Sequence, residues 1–577
     1  MRMRVWEDIP ADDAQVRQTA AALGVPQVIA RLLCQRGHGD PLAANRFLHP
    51  SLDQLHDPFL LTDMRPAVAR LLAAIERQER IVIHGDYDVD GITSTVILRR
   101  ALELLGADVG HFVPDRFADG YGLQVSTIER LHAGGARVVV SVDCGIRAAE
   151  AADRSRELGL DLIITDHHEP DAVLPSALAV INPRRPDCSY PAKTLAGVGV
   201  ALKLVQALFA ESGRGEGWLP HFVKVAAIGT LADVVPLVDE NRVIASCGLA
   251  LLGAGPHAAG LDALLAESGL AGKTLDSFHV SFMLAPRLNA AGRMGSANLA
   301  VDLLMLRGRD GEVRARALEL ARQLETENAR RQDEEAAILA EARRAIERDP
   351  DTGAHNLLVV AGERWHKGVI GIVASKLVDA YGKPVIVVSL DDRIGHGSAR
   401  SIPQFDLLEA LEAHGDLFVR FGGHRQAAGL TIEADRIGEL RRRLGAWADE
   451  RLAPEDLVPR LRIDAPLALR EISGSVIEGL TRLGPFGAAN PKPVFRAAPV
   501  SLAEAPRVLK ERHLALRVRQ DGRSFRAIAW RAVEREPYLN ANREGLELAY
   551  SLGQSEFRGE KVTEMTVADV RLAEVRA

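Results

Sequence analysis

The run Ile81-Val82-Ile83-His84-Gly85-Asp86-Tyr87-Asp88-Val89-Asp90-Gly91 constrains the fold of this chain more than any other stretch. Its β-branched apolar residues read as a buried strand, and acids follow at every second position before a helix-like pattern begins. Alternation at that spacing puts the acids on one side. Three carboxylates and an imidazole crowded at a strand end repel one another and lose hydration, so a positive charge is expected among them, and a divalent metal is the natural candidate. Asp86-x-Asp88-x-Asp90-Gly91 also matches the opening of an EF-hand calcium loop. That reading fails, because the twelfth loop position needs a Glu and holds Ile97, and a strand precedes where a helix is required. The bland alternative is an acidic turn, and the remainder of the chain decides between the two.

From Ile81 onward the pattern alternates strand and helix: Ile81 to His84, a helix from Thr93 to Leu105, Val109 to Val113, then Val138 to Val142 and Leu160 to Thr165. Continuously apolar strands separated by helical stretches predict a parallel sheet covered on both faces. In such sheets the site lies beyond the carboxyl ends of the strands. Asp143 follows Val138–Val142, Asp166-His167-His168-Glu169 follows Leu160–Thr165, and the apolar stretch Val223–Thr230 leads to Asp233. A lone Asp at a strand end is usually a helix N-cap. Four segments delivering carboxylates or imidazoles to one edge make coincidence a poor explanation. Carboxylate and imidazole without thiolate suit manganese or magnesium better than structural zinc. Two close divalent ions bridged by a shared carboxylate form a clamp for in-line attack of water on a phosphoester.

A chain of 577 residues is too long for one core, and 47% hydrophobic with 26% charged residues is ordinary for a globular protein. The net charge of -7 does not advertise a nucleic-acid binder, so any such surface must be a local patch. Cys34, Cys144, Cys188 and Cys247 show neither CxxC pairing nor zinc spacing, which fits a reducing cytoplasm. The start lacks an apolar signal core and no run of about 18 apolar residues could span a bilayer, so a cytoplasmic protein without a membrane partner is expected.

Residues 1–75 read as short helices, with Pro26 starting one and His49-Pro50 ending another. Gly311 to Arg348, rich in Ala, Glu, Arg and Leu, reads as one long helix with a solvated charged face. A second α/β unit follows, with Asn356–Ala361 and Val385–Ser389 as strands around a helix from Val369 to Tyr381. Beyond it, Gly395-His-Gly-Ser398-Ala-Arg400-Ser and Phe421-Gly-Gly-His424-Arg read as Gly-rich turns, able to bring backbone N–H groups near an anion or serving as plain turn geometry. From about Glu455 short strands dominate, and Leu514–Arg519 and Ser524–Trp530 read as a hairpin on Asp521-Gly522. Eight Lys or Arg stand against two Asp or Glu between Arg507 and Arg531, with Phe525 and Trp530 interleaved. That is either a single-strand-binding surface or a barrel with a charged exterior.

The order of His84-Gly-Asp-Tyr-Asp-Val-Asp90-Gly, Val142-Asp143-Cys144-Gly145, Asp166-His167-His168 and Gly229-Thr-Leu-Ala-Asp233-Val-Val-Pro236 resembles the DHH phosphoesterase family over most of the chain, and within it the bacterial single-strand-specific exonucleases. The resemblance implies that His84, Asp88 and Asp143 hold one metal and Asp90, Asp143, His167 and Asp233 the other, with Asp143 the bridge. His168 would lie beside the substrate phosphate, and Asp86 and Asp166 would orient ligands, which makes Asp143, Asp166 and His168 the implied catalytic set. Arg287, Asn289 and Arg293, in Ala285-Pro-Arg-Leu-Asn-Ala-Ala-Gly-Arg-Met294, alone read equally as a solvated helix cap; the resemblance has them grip substrate, with Arg116 on another strand-end loop. Ser398, Arg400 and His424 would belong to a DHH-associated domain that faces the metal domain across a cleft and binds the nucleotide.

The expected fold is therefore multidomain α/β. It runs from a helical segment (1–75) to a parallel-sheet metal domain (76–308), a connecting helix (309–350), a smaller α/β substrate-binding domain (351–452) and an OB-fold β-barrel (455–577), with Gly484–Pro491 as the entry loop to the barrel. The extra C-terminal domain of some longer relatives is expected to be absent. The resemblance further implies exonuclease action on single-stranded DNA from its 5′ end, two Mn2+ or Mg2+ ions, a role in repair and recombination, a monomer, and a single-strand-binding protein and a helicase as partners. Two rivals stand beside it. A family member acting on short oligoribonucleotides or cyclic dinucleotides would have no use for the basic, aromatic C-terminal region, and a non-catalytic replication scaffold would not keep every ligand position intact.

Overall fold

Five parallel strands, in the order Val109–Phe112, Ile81–His84, Val138–Val142, Asp161–Thr165 and Ala179–Ile181, make the sheet of the metal-ligand region. The computed structural model describes residues 4–116, 119, 120, 122–557 and 560–573. The central strands are apolar at most positions because each face meets its own core. Ile81, Ile83, Val138, Val140 and Ile163 pack with Met64, Leu98, Leu202 and Phe222, whereas Val82, Val139, Leu162 and Ile164 pack with Ile128 and Ala151 on the other side. Each fully buried Val or Ile contributes roughly 1.5–3 kcal/mol, so this sheet anchors the strand ends firmly. The helix opened by the acidic run is Val89–Leu104, and the strand Ala179–Ile181 is too short to carry a clear sequence pattern of its own.

The stretch Val223–Thr230, read as another segment of the strand-end series, is instead the interior of the helix Leu219–Ala232. Ten of its residues are buried, so it is apolar around most of its circumference and carries no helical period to distinguish it from a buried strand. Asp233 reaches the site as the cap of that helix.

The chain divides into two units, Asp8–Glu325 with Ile463–Ala577, and Thr326–Arg462 with the first residues of the chain. The boundary falls inside the helix Gly311–Arg348. Within the first unit, Ile29, Leu33, Phe47 and Leu48 of the N-terminal helices share a core with Leu469, Phe495, Leu516 and Tyr550 of the C-terminal strands. Gln35 donates to the Asp464 carbonyl at 2.8 Å, and Arg36 to Asn490 Oδ1 at 2.8 Å. The strands Phe495–Leu502, Leu546–Phe557, Glu560–Leu572, Arg523–Ala529 and His513–Gln520 are neighbours in turn, and pairing of Ser501 with Arg519 and Leu502 with Val518 closes them into a five-stranded OB-type barrel. The Asp521-Gly522 hairpin forms as expected, with both residues at positive φ (48° and 79°).

In the second unit Leu358–Glu363 and Val385–Asp391 pair in parallel, and Ile394–Arg400, Ala427–Glu433 and Phe418–His424 extend the sheet antiparallel. The two Gly-rich segments are thus strands rather than turns. A Cβ on Gly395 would stand 2.7 Å from Val388 Cγ1, and one on Gly397 2.6 Å from Leu430 Cδ1, so these glycines admit large neighbours in the sheet. No single helix among the described residues is long and apolar enough to cross a bilayer.

Candidate metal and phosphate site

The acidic run folds as a loop drawn tight by its glycines. A Cβ on Gly91 would lie 2.6 Å from the Asp86 nitrogen, so only glycine lets the first helical turn return over Asp86. Asp88 caps that helix, accepting from the Gly91 N–H at 3.1 Å. The N-cap reading and the ligand reading therefore describe the same carboxylate. Asp90 is buried and accepts the N–H groups of Gly197 and Val198 at 2.8 and 2.7 Å, at the start of the helix Gly197–Glu211. Asp143, in the left-handed region at φ 61°, turns its carboxylate toward Gly197, where a Cβ would stand 2.4 Å from Oδ1.

The four segments converge. His167 Nε2 lies 3.1 Å from Asp143 Oδ1, 3.7 Å from Asp233 Oδ2 and 3.8 Å from Asp90 Oδ2. Three groups each bring ligand atoms within 4.8 Å of one another: Asp143, His167 and His168; Asp90, His167 and Asp233; and Asp86, Asp88 and Asp143. His84, implied to share a metal with Asp88 and Asp143, is in none of these groups among the described residues, and Asp86 stands there instead. The His84 ring is fully buried, with Nδ1 3.4 Å from Cys144 Sγ and Nε2 without a hydrogen-bond partner.

Burial, then repulsion from neighbouring carboxylates, pushes Asp90 and Asp143 far above the usual carboxylate range, Asp86 up to about 8 and Asp233 to about 7. Burial lowers His84 and His167 to about 4, leaving neutral rings with lone pairs to offer. Asp143 Oδ1 and both His167 ring nitrogens are buried without hydrogen-bond partners. Hard oxygens, neutral imidazoles and orphaned acceptors together fit divalent cations of the Mn2+ or Mg2+ type.

Beside the cluster lies a pocket of about 210 Å³ lined by Asp86, Tyr87, Asp88, Arg116, His168, Asn289 and Arg293. Asp166 is fully buried and accepts from the His168 N–H at 3.0 Å, the His167 N–H at 2.7 Å and the Ile146 N–H at 2.9 Å. Its contact with His168 Nδ1, at 2.7 Å, leaves Nε2 for the pocket. Asn289 Oδ1 accepts from the Val89 N–H at 3.1 Å, tying the helix Ala285–Met294 to the acidic loop. Arg287 is not among the lining residues; its Nε lies 2.5 Å from Glu325. Tyr87, which sequence reasoning passed over, carries the Arg116 guanidinium 5.1 Å above its ring. The available signal was an aromatic residue between two acids.

In the second unit Arg400, Ala427 and His424 stand abreast on three adjacent strands. Arg400 Nη1 is 3.3 Å from Ser398 Oγ, and a Cβ on Gly371, at the start of the helix Ile370–Tyr381, would lie 3.0 Å from that hydroxyl. The helix N-terminus, Ser398 and Arg400 therefore form one anion-favouring corner, for which the Gly in Val-Ile-Gly371 was the unread signal. On the barrel, Trp530 is exposed and edge-on to His513 at 4.9 Å, while Phe525 packs against the core, so only one of the two aromatics presents a face.

Family models match three regions of the chain: the DHH family N-terminal domain at residues 80–230, the DHHA1 domain at 354–450 and the RecJ OB domain at 463–569. The chain is 37% identical to the single-stranded-DNA-specific exonuclease RecJ of Bacillus subtilis, over 99% of this chain and 71% of that protein. It is also 37% identical to the RecJ of Dickeya dadantii, over 94% and 96%. The crystal structure of RecJ in complex with Mn2+ from Thermus thermophilus superposes with a TM-score of 0.83 at 33% identity, over 100% of this chain and 80% of that one.

Proposed function

The chain belongs to the RecJ family of single-stranded-DNA-specific exonucleases, and from that premise we propose that it hydrolyses single-stranded DNA from a 5′ end to mononucleotides, using two Mn2+ or Mg2+ ions, in repair and recombination. The observation that carries this reading is Asp143, whose carboxylate belongs both to the group with Asp86 and Asp88 and to the group with His167 and His168. We assign Asp88 and Asp143 to one cation, with Asp86 and His84 at its edge, and Asp90, Asp143, His167 and Asp233 to the other. Bound there, the two ions supply Lewis acidity and an activated water for phosphodiester hydrolysis.

The side chains do the remainder. Arg116, Arg293 and Asn289 line the pocket with the acids and orient the phosphate by hydrogen bonds. Asp166 holds His168 with Nε2 toward the pocket, where it donates to a non-bridging oxygen as charge develops. Water oxygen bonds to phosphorus and gives up a proton, the bond from phosphorus to the 3′ oxygen breaks, and that oxygen takes up a proton as it leaves. Ser398 and Arg400, with the N-terminus of the helix Ile370–Tyr381, are suited to a phosphate group, with His424 abreast of them on an adjacent strand. The basic barrel strands around Trp530 favour an extended polyanion over a small substrate.

One chain suffices for attack from an end, so a monomer fits. The free thiols Cys34, Cys144, Cys188 and Cys247 suit the cytoplasm, where a helicase and a single-strand-binding protein would present the strand. Incubation of 5′-labelled linear and closed circular single strands with Mn2+ tests the reading. Release of labelled mononucleotide from the linear strand alone is expected, and equal degradation of the circle overturns it.

A further inference from the structure

Phe278 and Phe282 stand 58% and 68% exposed on the helical run that leads into Ala285–Met294, their rings stacked at 5.0 Å with 28° between planes. The opposite side of that run is firmly seated. Val280 and Leu284 are buried in the core, Ser281 Oγ donates to the Leu231 carbonyl at 2.9 Å, and Ser277 Oγ donates to the Phe486 carbonyl at 2.6 Å. Residues Val280–Leu284 form a π turn, a distortion that recurs at functional sites. Beyond Leu231, Asp233 enters the metal cluster, and Val234 follows it in the left-handed region at φ 61°, a strained conformation for a β-branched residue, with its side chain 67% exposed.

Folding gains little from two phenylalanines and a valine held in water, so this arrangement calls for an occupant. The same continuous run carries Asn289 and Arg293 to the phosphate pocket, Asn289 lying about 10 Å beyond Phe282 along the helix at 1.5 Å per residue. A strand whose phosphate sits between Arg116 and Arg293 has its neighbouring bases within reach of the aromatic pair. Every base has a π-face, so stacking there is tolerant of sequence, as a degrading enzyme requires.

We propose that Phe278 and Phe282 form a stacking platform for the bases of the strand held in the metal and phosphate site. The proposal rests on the single-strand nuclease reading and adds to it a base-contacting subsite. Binding of a fluorescent oligo(dT) and of an abasic strand of equal length, in EDTA so that the strands stay intact, tests it with the full chain. Phe278→Leu/Phe282→Leu should bind oligo(dT) on the order of 5- to 100-fold more weakly than wild type, and the abasic strand equally. Phe282→Trp should retain tight binding, with its fluorescence quenched by oligo(dT) and not by the abasic strand; this variant also decides the matter should the double variant lose its fold. Unchanged oligo(dT) binding, an equal loss on the abasic strand, or a wild-type dimer that the double variant dissociates would each overturn the platform while leaving the nuclease reading standing. Failure of the wild-type enzyme to degrade single strands would instead remove the nuclease reading.

Discussion

Asp166 and His168, two residues apart, are locked together by two contacts to one carboxylate oxygen. Oδ1 takes the His168 N–H at 3.0 Å and lies 2.7 Å from its Nδ1, and Oδ2 is held by Ile146. Burial alone would lower His168, but the hydrogen bond and charge of Asp166 outweigh it and raise the imidazolium above its ordinary range. Burial alone would raise Asp166, but His168 and the surrounding N–H groups hold it low. A raised histidine pKa keeps Nε2–H in place as pH climbs, and activity falls once pH passes that value. In Asp166→Asn the charge is gone, so the alkaline limb of the rate profile should move to lower pH, with kcat/KM about 10- to 100-fold down. Profiles of both proteins from acid to mildly alkaline pH decide it; an unmoved limb would show that Asp166 only braces the loop.

Gly292 meets the backbone of Tyr87. A Cβ there would lie 2.2 Å from the Tyr87 carbonyl oxygen, which cannot swing away as a side chain could. Helix propensity favours alanine over glycine by about 1 kcal/mol, whereas overpacking costs roughly 1–3 kcal/mol, so the clash should win. Gly292→Ala should lower the thermal midpoint and displace Asn289 from the Val89 N–H, reducing kcat/KM as well. A midpoint above wild type would mean that the helix shifts without penalty.

Lys203 and Glu240 are both fully buried and 2.8 Å apart, with Tyr190 and the His56 N–H also donating to the Glu240 carboxylate. Removing one partner strands a charge, which typically costs about 3–5 kcal/mol. Lys203→Met should therefore destabilise the chain by that order in urea denaturation. Lys203→Met/Glu240→Gln removes both charges, keeps an amide oxygen for the His56 N–H and turns the amide nitrogen to donate to the Tyr190 hydroxyl oxygen, and should recover most of the loss. A double variant no better than the single would place the penalty in packing.

Much of this site was legible before any coordinates, because a parallel sheet buried on both faces requires uniformly apolar strands and leaves the polar residues at their carboxyl ends conspicuous. Asp88, Asp143 and His167 stand where that rule puts them, and the Asp521-Gly522 hairpin is dictated by local chemistry alone. The misreadings share a physical origin in distant packing. Leu219–Ala232 is apolar on most sides because other elements surround it, so its period is hidden. Gly395 and Gly397 look like turn residues, and only Val388 and Leu430 explain them as strand positions. The N-terminal helices meet the barrel through Gln35 and Asp464, more than four hundred positions apart, a pairing that no local pattern announces. Whether Asp86 or His84 lies nearer Asp88 and Asp143 depends on loop geometry that spacing alone leaves open.

The cluster around Asp143 should also set stability in the absence of metal. Asp86 and Asp233, raised to about 8 and 7 by burial and by the charge of Asp88, bind protons in the folded chain that they release when unfolded. Stability should therefore fall as pH rises from about 4 through 8 in EDTA, the reverse of the usual carboxylate case. Divalent cations neutralise the same charges, and at 100 times its dissociation constant each bound ion adds about 2.7 kcal/mol. Mn2+ should then raise the thermal midpoint more at pH 8 than at pH 5, where protons already occupy the carboxylates. Asp143→Asn removes one of the repelling charges while weakening both candidate ion sites, so it should match or exceed wild type in EDTA at pH 8, yet respond little to Mn2+ and hydrolyse no DNA. Calorimetric scans of both proteins at the two pH values, with and without Mn2+, separate these effects. A full Mn2+ response in Asp143→Asn would show that the bridge lies elsewhere.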